Sequence, residues 1–229
     1  MELKGRLGLI AKKVPNCDIV TDVGTDHAYI PIFLIKNSIC KKAIATDIKK
    51  GPIMIARNNI SSFDVDGFIE ARIGYGLELI DESESDVIII AGMGGILIKD
   101  ILIKDLNKAV KAKTLVLQPM NAIEVLREWL YSNGFEIYDE EMCSEGEKLY
   151  NVIVARWTGK VQNVYRIDYY IGKKLIEKQD PLLGRYIGKK IKQLEKSILE
   201  MNNSSESRLE AKENQLWFKG ELERILKEI

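Results

Sequence analysis

Five short apolar stretches recur along the first two-thirds of the chain, and each has glycine, aspartate or proline at or next to its end. They are CDIVTDVG, KAIATDI, GFIEARIG, DVIIIAGMGG and TLVLQPM, and segments with the apolar spacing of helices separate them. Apolar strands that alternate with helices are typical of a parallel sheet covered on both faces. FEIYDEEM and KLYNVIVARW, which follow, predict a closing pair of strands. The pattern therefore predicts an α/β fold.

The pattern changes to long helix from about Val161. Apolar residues then recur every three or four positions in two runs, one along Ile187, Ile191, Leu194, Ile198 and Met201, the other along Ala211, Phe218, Leu222, Ile225 and Ile229. The polar segment NNSSES, residues 202–207, separates the runs. This spacing predicts an antiparallel helical hairpin with a coiled-coil-like seam. We predict two domains, an α/β domain at 1–159 and the helical domain at 160–229.

The composition narrows the class of protein. A chain of 229 residues with 46% hydrophobic and 30% charged residues is typical of a folded globular protein. Its cysteines, Cys17, Cys40 and Cys143, are odd in number and lack the spacing of a zinc site or a disulfide framework. The amino terminus lacks signal-peptide features, and the longest apolar run, VIIIAGMGGIL, is too short to span a bilayer. We predict a cytoplasmic protein without a metal ion or a membrane partner.

The zero net charge hides an asymmetry between the two predicted domains. Residues 160–229 contain 15 basic and 11 acidic residues, whereas residues 1–159 contain 19 basic and 23 acidic residues. The basic excess is densest between Lys173 and Lys196. Such a segment is either a solvated helical face or a surface that binds a polyanion. The candidate polyanion contacts are Lys173, Lys174, Arg185, Lys189, Lys190 and Lys192.

The stretch TDVGTDHAYIP, residues 21–31, contains the only histidine of the chain in an acidic glycine turn after the first predicted strand. A strand, a glycine turn and a helix form the usual start of a nucleotide-binding fold. A dinucleotide fingerprint needs glycine at positions 24, 26 and 29, where this chain has Gly24, Asp26 and Tyr29. The phosphate-binding loop of nucleoside triphosphatases is also missing from the sequence. Dinucleotides and nucleoside triphosphates are therefore disfavoured ligands.

A cationic nucleoside without phosphate fits the acidic turn better. S-adenosylmethionine is such a molecule: Asp22 suits its ammonium group, and Gly24 gives access to the backbone. Asp47, at the end of the second predicted strand, suits the ribose hydroxyls. Gly74-Tyr75-Gly76 ends the third strand, where an adenine would lie. These positions meet at the carboxyl ends of the strands.

Each of these residues also has a purely structural interpretation. Asp22 and Asp47 are residue types that form turns and helix caps. The glycines of AGMGG are suited to close packing of a helix on a strand. His27 is suited to satisfying backbone groups at a helix start, and Met93 and Met120 to forming the wall of a pocket.

Taken together, the motifs DVGTDHAYIP, ATDI, RIGYGLE, IIIAGMGG and LVLQPM, with the helix RLGLIA before them and the hairpin after them, resemble the bacterial tRNA (adenine-22-N1)-methyltransferase family, TrmK. The resemblance covers nearly the whole chain. It implies a class I methyltransferase fold with a Rossmann-like sheet, S-adenosylmethionine as methyl donor, a tRNA substrate, and a helical hairpin that helps to hold the tRNA.

The resemblance also implies roles for individual residues. Asp26, His27, Gln118 and Pro119 are expected near the target base. The expected cofactor contacts are Asp22, Gly24, Asp47, Ile48, Gly74, Tyr75, Gly76, Gly92 and Met93. AGMGG stands where amino-methylating enzymes have an Asn/Asp-Pro-Pro-aromatic motif, so N1 of adenine is favoured over N6 as the acceptor.

Transfer to N1 needs no activated side chain, because N1 has an in-plane lone pair and attacks the methyl carbon once both are aligned. The base becomes positively charged, so a carboxylate that accepts a hydrogen bond from its amino group stabilises the transition state. Asp26 is the candidate, with His27 orienting it or helping to take up a proton. Two alternatives stay open at this point: a small-molecule methyltransferase that uses the hairpin to dimerise, and a non-catalytic RNA-binding protein. No protein partner is indicated.

Overall fold

A computed structural model describes residues 1–201 and 209–229 of the chain. The described part divides into two compact units, Met1–Val164 and Tyr165–Ile229. The division lies five residues beyond the predicted domain boundary. The first unit contains a sheet with helices around it, and the second contains helices in its described residues.

The first unit alternates strands and helices until the last two strands follow each other directly. Its elements are α1 (Gly5–Lys12), β1 (Cys17–Val23), α2 (Tyr29–Lys36), β2 (Cys40–Asp47), α3 (Lys50–Ser62), β3 (Ile69–Ile73), β4 (Val87–Met93), α4 (Gly95–Lys104), α5 (Leu106–Lys111), β5 (Thr114–Pro119), α6 (Ile123–Ser132), β6 (Phe135–Glu145) and β7 (Lys148–Trp157). Every predicted strand is confirmed, and FEIYDEEM and KLYNVIVARW form the predicted closing pair.

The seven strands of the first unit form one sheet in the order β3-β2-β1-β4-β5-β7-β6. Strands β1 to β5 are parallel, and β7 is antiparallel to both β5 and β6. The central strands are buried on both faces, as the continuous apolar runs predicted. The strand order reverses direction between β1 and β4, which brings the carboxyl ends of both strands to one crevice. The predicted Rossmann-like α/β fold is confirmed.

The second unit contains two short helices before its long pair. These are α7 (Arg166–Ile171), α8 (Lys173–Glu177), α9 (Leu183–Met201) and α10 (Leu209–Glu228). The expectation of long helix from Val161 is therefore wrong for residues 161–182. Contacts between α9 and α10 run antiparallel, because Gln215 bonds Ser197 at 3.1 Å and Lys219 pairs with Glu195 at 2.9 Å. The segment 202–207, predicted to join them, lies outside the described residues.

The seam between α9 and α10 follows the predicted spacing only in part. Along α9, Ile187 is buried and Ile191, Leu194 and Ile198 are half-buried. Along α10, Phe218, Leu222 and Ile225 turn inward, but Ala211 and Ile229 are exposed. Gln215 takes the inward position near the start of α10, and its amide bonds α9 instead of adding apolar contact. A hairpin is present, while the coiled-coil character stays a prediction.

Candidate active site

The glycine turn after β1 is held against the neighbouring strand by backbone hydrogen bonds. The N–H groups of Gly24 and Thr25 both donate to the Thr46 carbonyl of β2, at 2.7 and 2.8 Å. Gly24 has φ +76°, a left-handed conformation that glycine adopts without strain. Thr25 Oγ1 accepts a hydrogen bond from the Ala28 N–H at 3.2 Å, just before α2 begins. The turn is thus fixed by β2 on one side and by its own threonine on the other.

Asp22 is a buried acid near the carboxyl end of β1, just before the glycine turn, and 7% of its surface is exposed. Burial raises the pKa of its carboxyl to about 6, because the ionised form loses hydration. A hydrogen bond from the Thr25 side chain offsets part of this effect. A buried carboxylate of this kind favours a cationic ligand, since a nearby positive charge replaces the lost hydration.

Asp26 and His27 form a pair at the rim of the turn. Asp26 Oδ2 lies 3.1 Å from His27 Nε2, and 74% of the Asp26 side chain is exposed. The His27 ring stacks on Tyr29 with a centroid distance of 5.1 Å. The His27 carbonyl accepts a hydrogen bond from Asn59 of α3 at 2.9 Å. His27 is therefore held in place, while the Asp26 carboxylate keeps free access to solvent.

Gln118 holds the ends of β4 and β5 together instead of facing solvent. It is fully buried, and its Oε1 accepts hydrogen bonds from the Gly92 N–H at 3.1 Å and from Arg6 Nη1 at 2.9 Å. Its Nε2 donates to the Pro119 carbonyl at 2.9 Å. Gly92 has φ +76°, so the backbone of β4 turns sharply here. Gln118 and Pro119 are buried behind the cleft wall, and the predicted role of both near the target base stays a prediction.

Arg6 of α1 is the functional candidate that the residue patterns did not reveal. Besides Gln118, its guanidinium contacts Met120 Sδ at 3.6 Å and lies over the Tyr150 ring at 5.5 Å. Its backbone N–H donates to Glu145 Oε1 at 2.8 Å. These partners lie more than a hundred positions away in the sequence, so no local spacing signals the contact. In the sequence, only the family resemblance of the RLGLIA motif indicated a functional role for this helix.

These residues surround a cleft of about 430 Å³ at the carboxyl ends of β1 and β4. A volume of this size falls in the range of small-molecule sites. The lining residues are Arg6, Leu7, Asp22, Gly24, Thr25, Asp26, His27, Ala28, Tyr29, Ile30, Ala91, Gly92 and Met120. The structure therefore brings five of the predicted site residues together in one cleft: Asp22, Gly24, Asp26, His27 and Gly92.

The other predicted cofactor residues lie at the ends of β2, β3 and β4, outside the lining of this cleft. Asp47 Oδ1 accepts the Lys49 N–H at 2.7 Å, and the Asp47 carbonyl accepts the Gly74 N–H at 3.0 Å. The Tyr75 ring lies 4.7 Å from Lys104 Nζ. Ile48 is exposed, and Gly76 has φ +55°. These residues form a second group, beside the turn and joined to it by β2.

Met93 lies next to Gly24, across the gap between β4 and β1. A Cβ built on Gly24 would stand 2.1 Å from Met93 Cε. A side chain at position 24 would displace the Met93 methyl group and would also carry the strain of a positive φ. Glycine at this position lets that methyl group pack directly on the backbone of the turn.

The predicted polyanion contacts fall on two helices of the second unit. Lys173 and Lys174 belong to α8 and pair with Glu177 at 3.9 and 2.7 Å. Arg185, Lys189 and Lys192 belong to α9, where steps of four and three residues place them on one face. That face is opposite the apolar seam, and the next helical step adds Lys196 to it. Lys190, in contrast, lies on the flank and covers the Tyr186 ring at 5.2 Å.

Across positions 1–201 and 209–229, His, Cys, Asp and Glu side chains nowhere gather in threes or more as a metal site would require. Over the same ranges, no helix has the length and apolar content that crossing a membrane demands.

Comparisons with known proteins agree with this geometry. Residues 3–153 match the family described as "Methyltransferase domain". The Bacillus subtilis tRNA (adenine(22)-N(1))-methyltransferase is 38% identical over 155 residues, which span 68% of this chain and 65% of that protein, just under two-thirds of its length.

Solved structures match over almost the full chain. The Streptococcus pneumoniae protein Sp1610, in complex with S-adenosyl-L-methionine, is 31% identical with a TM-score of 0.87 and covers 98% of this chain and 100% of its own. Mycoplasma capricolum TrmK, in complex with S-adenosyl-homocysteine, is 27% identical with a TM-score of 0.81, covering 99% of this chain and 97% of its own.

Proposed function

The chain belongs to the methyltransferase-domain family and, within it, to the bacterial tRNA (adenine-22-N1)-methyltransferases, and from this premise we propose that it methylates N1 of adenine 22 in tRNA with S-adenosylmethionine as donor. The observation that carries the proposal is the cleft at the ends of β1 and β4, where a buried acid, two positive-φ glycines and an exposed Asp–His pair converge. A tRNA substrate implies a cytoplasmic protein.

The residues around the turn fit S-adenosylmethionine. Gly24 and Gly92 have positive φ angles at the two strand ends, and their missing side chains let Met93 and Arg6 approach the backbone there. Asp22 and Asp47 supply two carboxylates, of which the buried Asp22 favours a cation. We assign Asp22 to the ammonium group and Asp47 to the ribose hydroxyls, with Ile48, Gly74, Tyr75, Gly76 and Met93 around the nucleoside. When bound, the cofactor supplies an electrophilic methyl group on a cationic sulfur.

Asp26 is proposed to stabilise the charge that methylation creates on the adenine. Its exposed carboxylate accepts a hydrogen bond from the amino group next to N1, and this bond strengthens as the base becomes positive. His27, 3.1 Å away and stacked on Tyr29, holds the carboxylate in place. Because no side-chain nucleophile is needed, positioning of the two reactants provides much of the rate enhancement.

The target adenine must leave its stack or pair to expose N1, and the cleft is large enough to receive a single base. Arg6 lines the cleft and offers a fixed cation for the phosphate next to that base. The basic face of α9 is proposed to bind the tRNA backbone, with Lys173 and Lys174 of α8 as further contacts. Binding of this kind reads shape and charge and weakens as salt rises.

The decisive experiment supplies the full-length protein with methyl-labelled S-adenosylmethionine and two tRNA transcripts that differ only in adenine or guanine at position 22. We expect label in 1-methyladenosine from the first transcript and none from the second, measured by nucleoside mass spectrometry. Label in both transcripts would mean another target position. Absence of label from both, with cofactor binding intact, would point to a small-molecule acceptor or to a non-catalytic RNA-binding protein.

The role of Asp26 has its own test. Asp26→Asn keeps the size of the side chain but removes its charge, so turnover should fall by roughly tenfold to a hundredfold while cofactor affinity stays unchanged. Single-turnover kinetics and calorimetric titration measure the two quantities separately. Unchanged turnover in this variant would remove Asp26 from the mechanism.

A further inference from the structure

The amino-terminal ends of β1 and β2 bring two thiols together, away from the cleft at the carboxyl ends of the strands. Cys17 and Cys40 are the first residues of the two strands and are register partners in the sheet. Their sulfur atoms lie 2.6 Å apart, compared with about 2.0 Å in a disulfide bond. Both are free thiols. Since 23 positions separate them in sequence, the sheet alone creates the pair.

The backbone around the pair is fixed on both sides of β1. The Cys17 N–H donates to the Ile39 carbonyl at 3.1 Å, next to the start of β2. The N–H groups of Asp18 and Ile19 both donate to Asp86 Oδ2, at 2.9 and 3.1 Å. The sulfur atoms are therefore held in contact by main-chain hydrogen bonds, and joining them requires only a small displacement of the side chains.

The two thiols differ in their chemistry. Cys17 is half-buried, whereas Cys40 has 4% of its surface exposed. The hydrogen bond between the sulfurs lowers the pKa of Cys40 and raises that of Cys17. Because the thiolate is the nucleophile, the lowered pKa favours attack by Cys40, and the half-buried Cys17 in contact with it is placed to react with the product.

We propose that Cys17 and Cys40 form a reversible oxidation site that closes to a disulfide in the presence of a hydroperoxide. The Cys40 thiolate attacks one peroxide oxygen, the O–O bond breaks, and Cys40 becomes a sulfenic acid while hydroxide leaves and takes up a proton. The Cys17 sulfur then attacks the sulfenic sulfur, an S–S bond replaces the S–O bond, and water leaves with the Cys17 proton. Two thiols and one hydrogen peroxide thus give one disulfide and two waters.

The position of the pair determines what oxidation changes. The disulfide closes a loop that contains the whole acidic turn and α2. It forms at the amino-terminal ends of the strands, whereas the cleft lies at their carboxyl ends. Closing this loop restricts the unfolded chain, so the oxidised protein should melt several degrees higher than the reduced protein. Methyl transfer should stay within about twofold of the reduced value, because the thiols and the cleft lie at opposite ends of the strands.

The test is hydrogen peroxide treatment of the folded full-length protein, followed by alkylation, trypsin digestion and mass spectrometry. Peptides 14–36, 37–41 and 128–148 contain the three cysteines one by one. We expect a cross-link between the first two peptides, full alkylation of Cys143, and recovery of both thiols with dithiothreitol. Cys143 serves as the control within the same molecule.

Two variants keep the proposal falsifiable. In Cys17→Ser, Cys40 should proceed to sulfinic acid, which dithiothreitol does not reverse, whereas Cys143→Ser should oxidise like the parent protein. Three results would each overturn the proposal: no cross-link in the parent or in Cys143→Ser, a cross-link from Cys143, or reversible oxidation of Cys40 without Cys17. Circular dichroism of every variant verifies that the fold is kept.

Discussion

Asp22 is a carboxylate whose burial opposes folding of the free protein and favours a cationic ligand. Its pKa of about 6 stands well above the ordinary 3.8, and each unit corresponds to about 1.4 kcal/mol. Because the folded-state pKa is the higher one, the cost is complete above pH 6 and is relieved as the pH falls toward 4. The protein keeps a destabilising residue at the place where its ligand is proposed to bind.

Asp22→Asn should therefore separate stability from binding. At pH 7.5 we expect the free variant to melt a few degrees higher than the parent, because the buried charge is gone, and to bind S-adenosylmethionine at least tenfold more weakly. In the parent, cofactor affinity should decrease as the pH falls below about 6, and in the variant this decrease should disappear. Thermal melts and calorimetric titrations between pH 5 and pH 8 measure both effects.

The exposed Asp66 provides the matched control, since Asp66→Asn removes the same charge from the surface of the same unit. That variant should change neither the melting temperature nor the pH dependence of binding. An Asp22→Asn protein that binds the cofactor as tightly as the parent would contradict the assignment of Asp22.

Single residues were predictable where chemistry and local pattern coincide. Asp22, Gly24 and Asp26 follow one apolar strand, so their meeting in one cleft could be read from the sequence. Arg6 could not, because its partner Gln118 is 112 positions away and the contact depends on how α1 packs. Gln118 illustrates the same limit, because no local pattern shows that Arg6 and Gly92 both donate to its side chain.

Between elements, a buried ion pair joins α6 to β6. Arg127 Nε lies 2.8 Å from Glu140 Oε1, and neither side chain is exposed. Glu140→Gln removes one charge from a fully buried pair, so the free energy of unfolding should fall by about 3 kcal/mol or more. Replacing both residues with Met and Leu should restore much of that loss. Denaturant titration measures both variants.

A second pair on the same strand is the control. Glu136 of β6 lies 2.7 Å from Arg156 Nη2, but 55% of the arginine side chain is exposed. Glu136→Gln should lower the free energy of unfolding by less than about 1 kcal/mol. Equal losses for Glu136→Gln and Glu140→Gln would show that burial does not determine the strength of these pairs.

The geometry of α9 predicts which of its lysines contribute most to tRNA binding. Lys192 lies on the face shared with Arg185, Lys189 and Lys196, whereas Lys190 lies on the flank over Tyr186. Lys192→Glu should weaken tRNA binding several-fold and flatten its salt dependence, and Lys190→Glu should do so much less. Filter binding at two salt concentrations measures this difference. Equal losses from both variants would mean that charge, and not the face, governs binding.

The elements themselves were largely readable, because apolar runs of strand length leave few alternatives. The short helices α7 and α8 were missed, since the break at Gly172 looks like one glycine in a longer helical pattern until its φ of +102° is seen. The start of α6 was also not readable, because Ala122 takes the cap position with φ +46°. That conformation comes from packing against α4, where the Gly95 N–H donates to the Asn121 carbonyl at 2.9 Å.

The division into two units predicts the properties of the first unit alone. The fragment 1–164 contains the whole sheet, its core and the cleft. It should fold, bind S-adenosylmethionine within about threefold of the full chain, and lose at least tenfold in tRNA methylation, because the basic face of α9 is missing. Calorimetry and the labelling assay measure these properties. Full tRNA methylation by the fragment would assign substrate binding to the first unit.

The contacts of Glu145 and Tyr150 with Arg6 form late during synthesis on the ribosome. Arg6 is made before β1, but the carboxylate and ring that fix it are made about 140 residues later than Arg6 itself. At 5–20 residues per second, this delay is roughly seven to thirty seconds. During that time the nascent chain can build the sheet around β1, but it cannot complete the wall of the cleft. The wall of the cleft is thus complete only after β6 and β7 have been made. Chains that end before these two strands lack that wall.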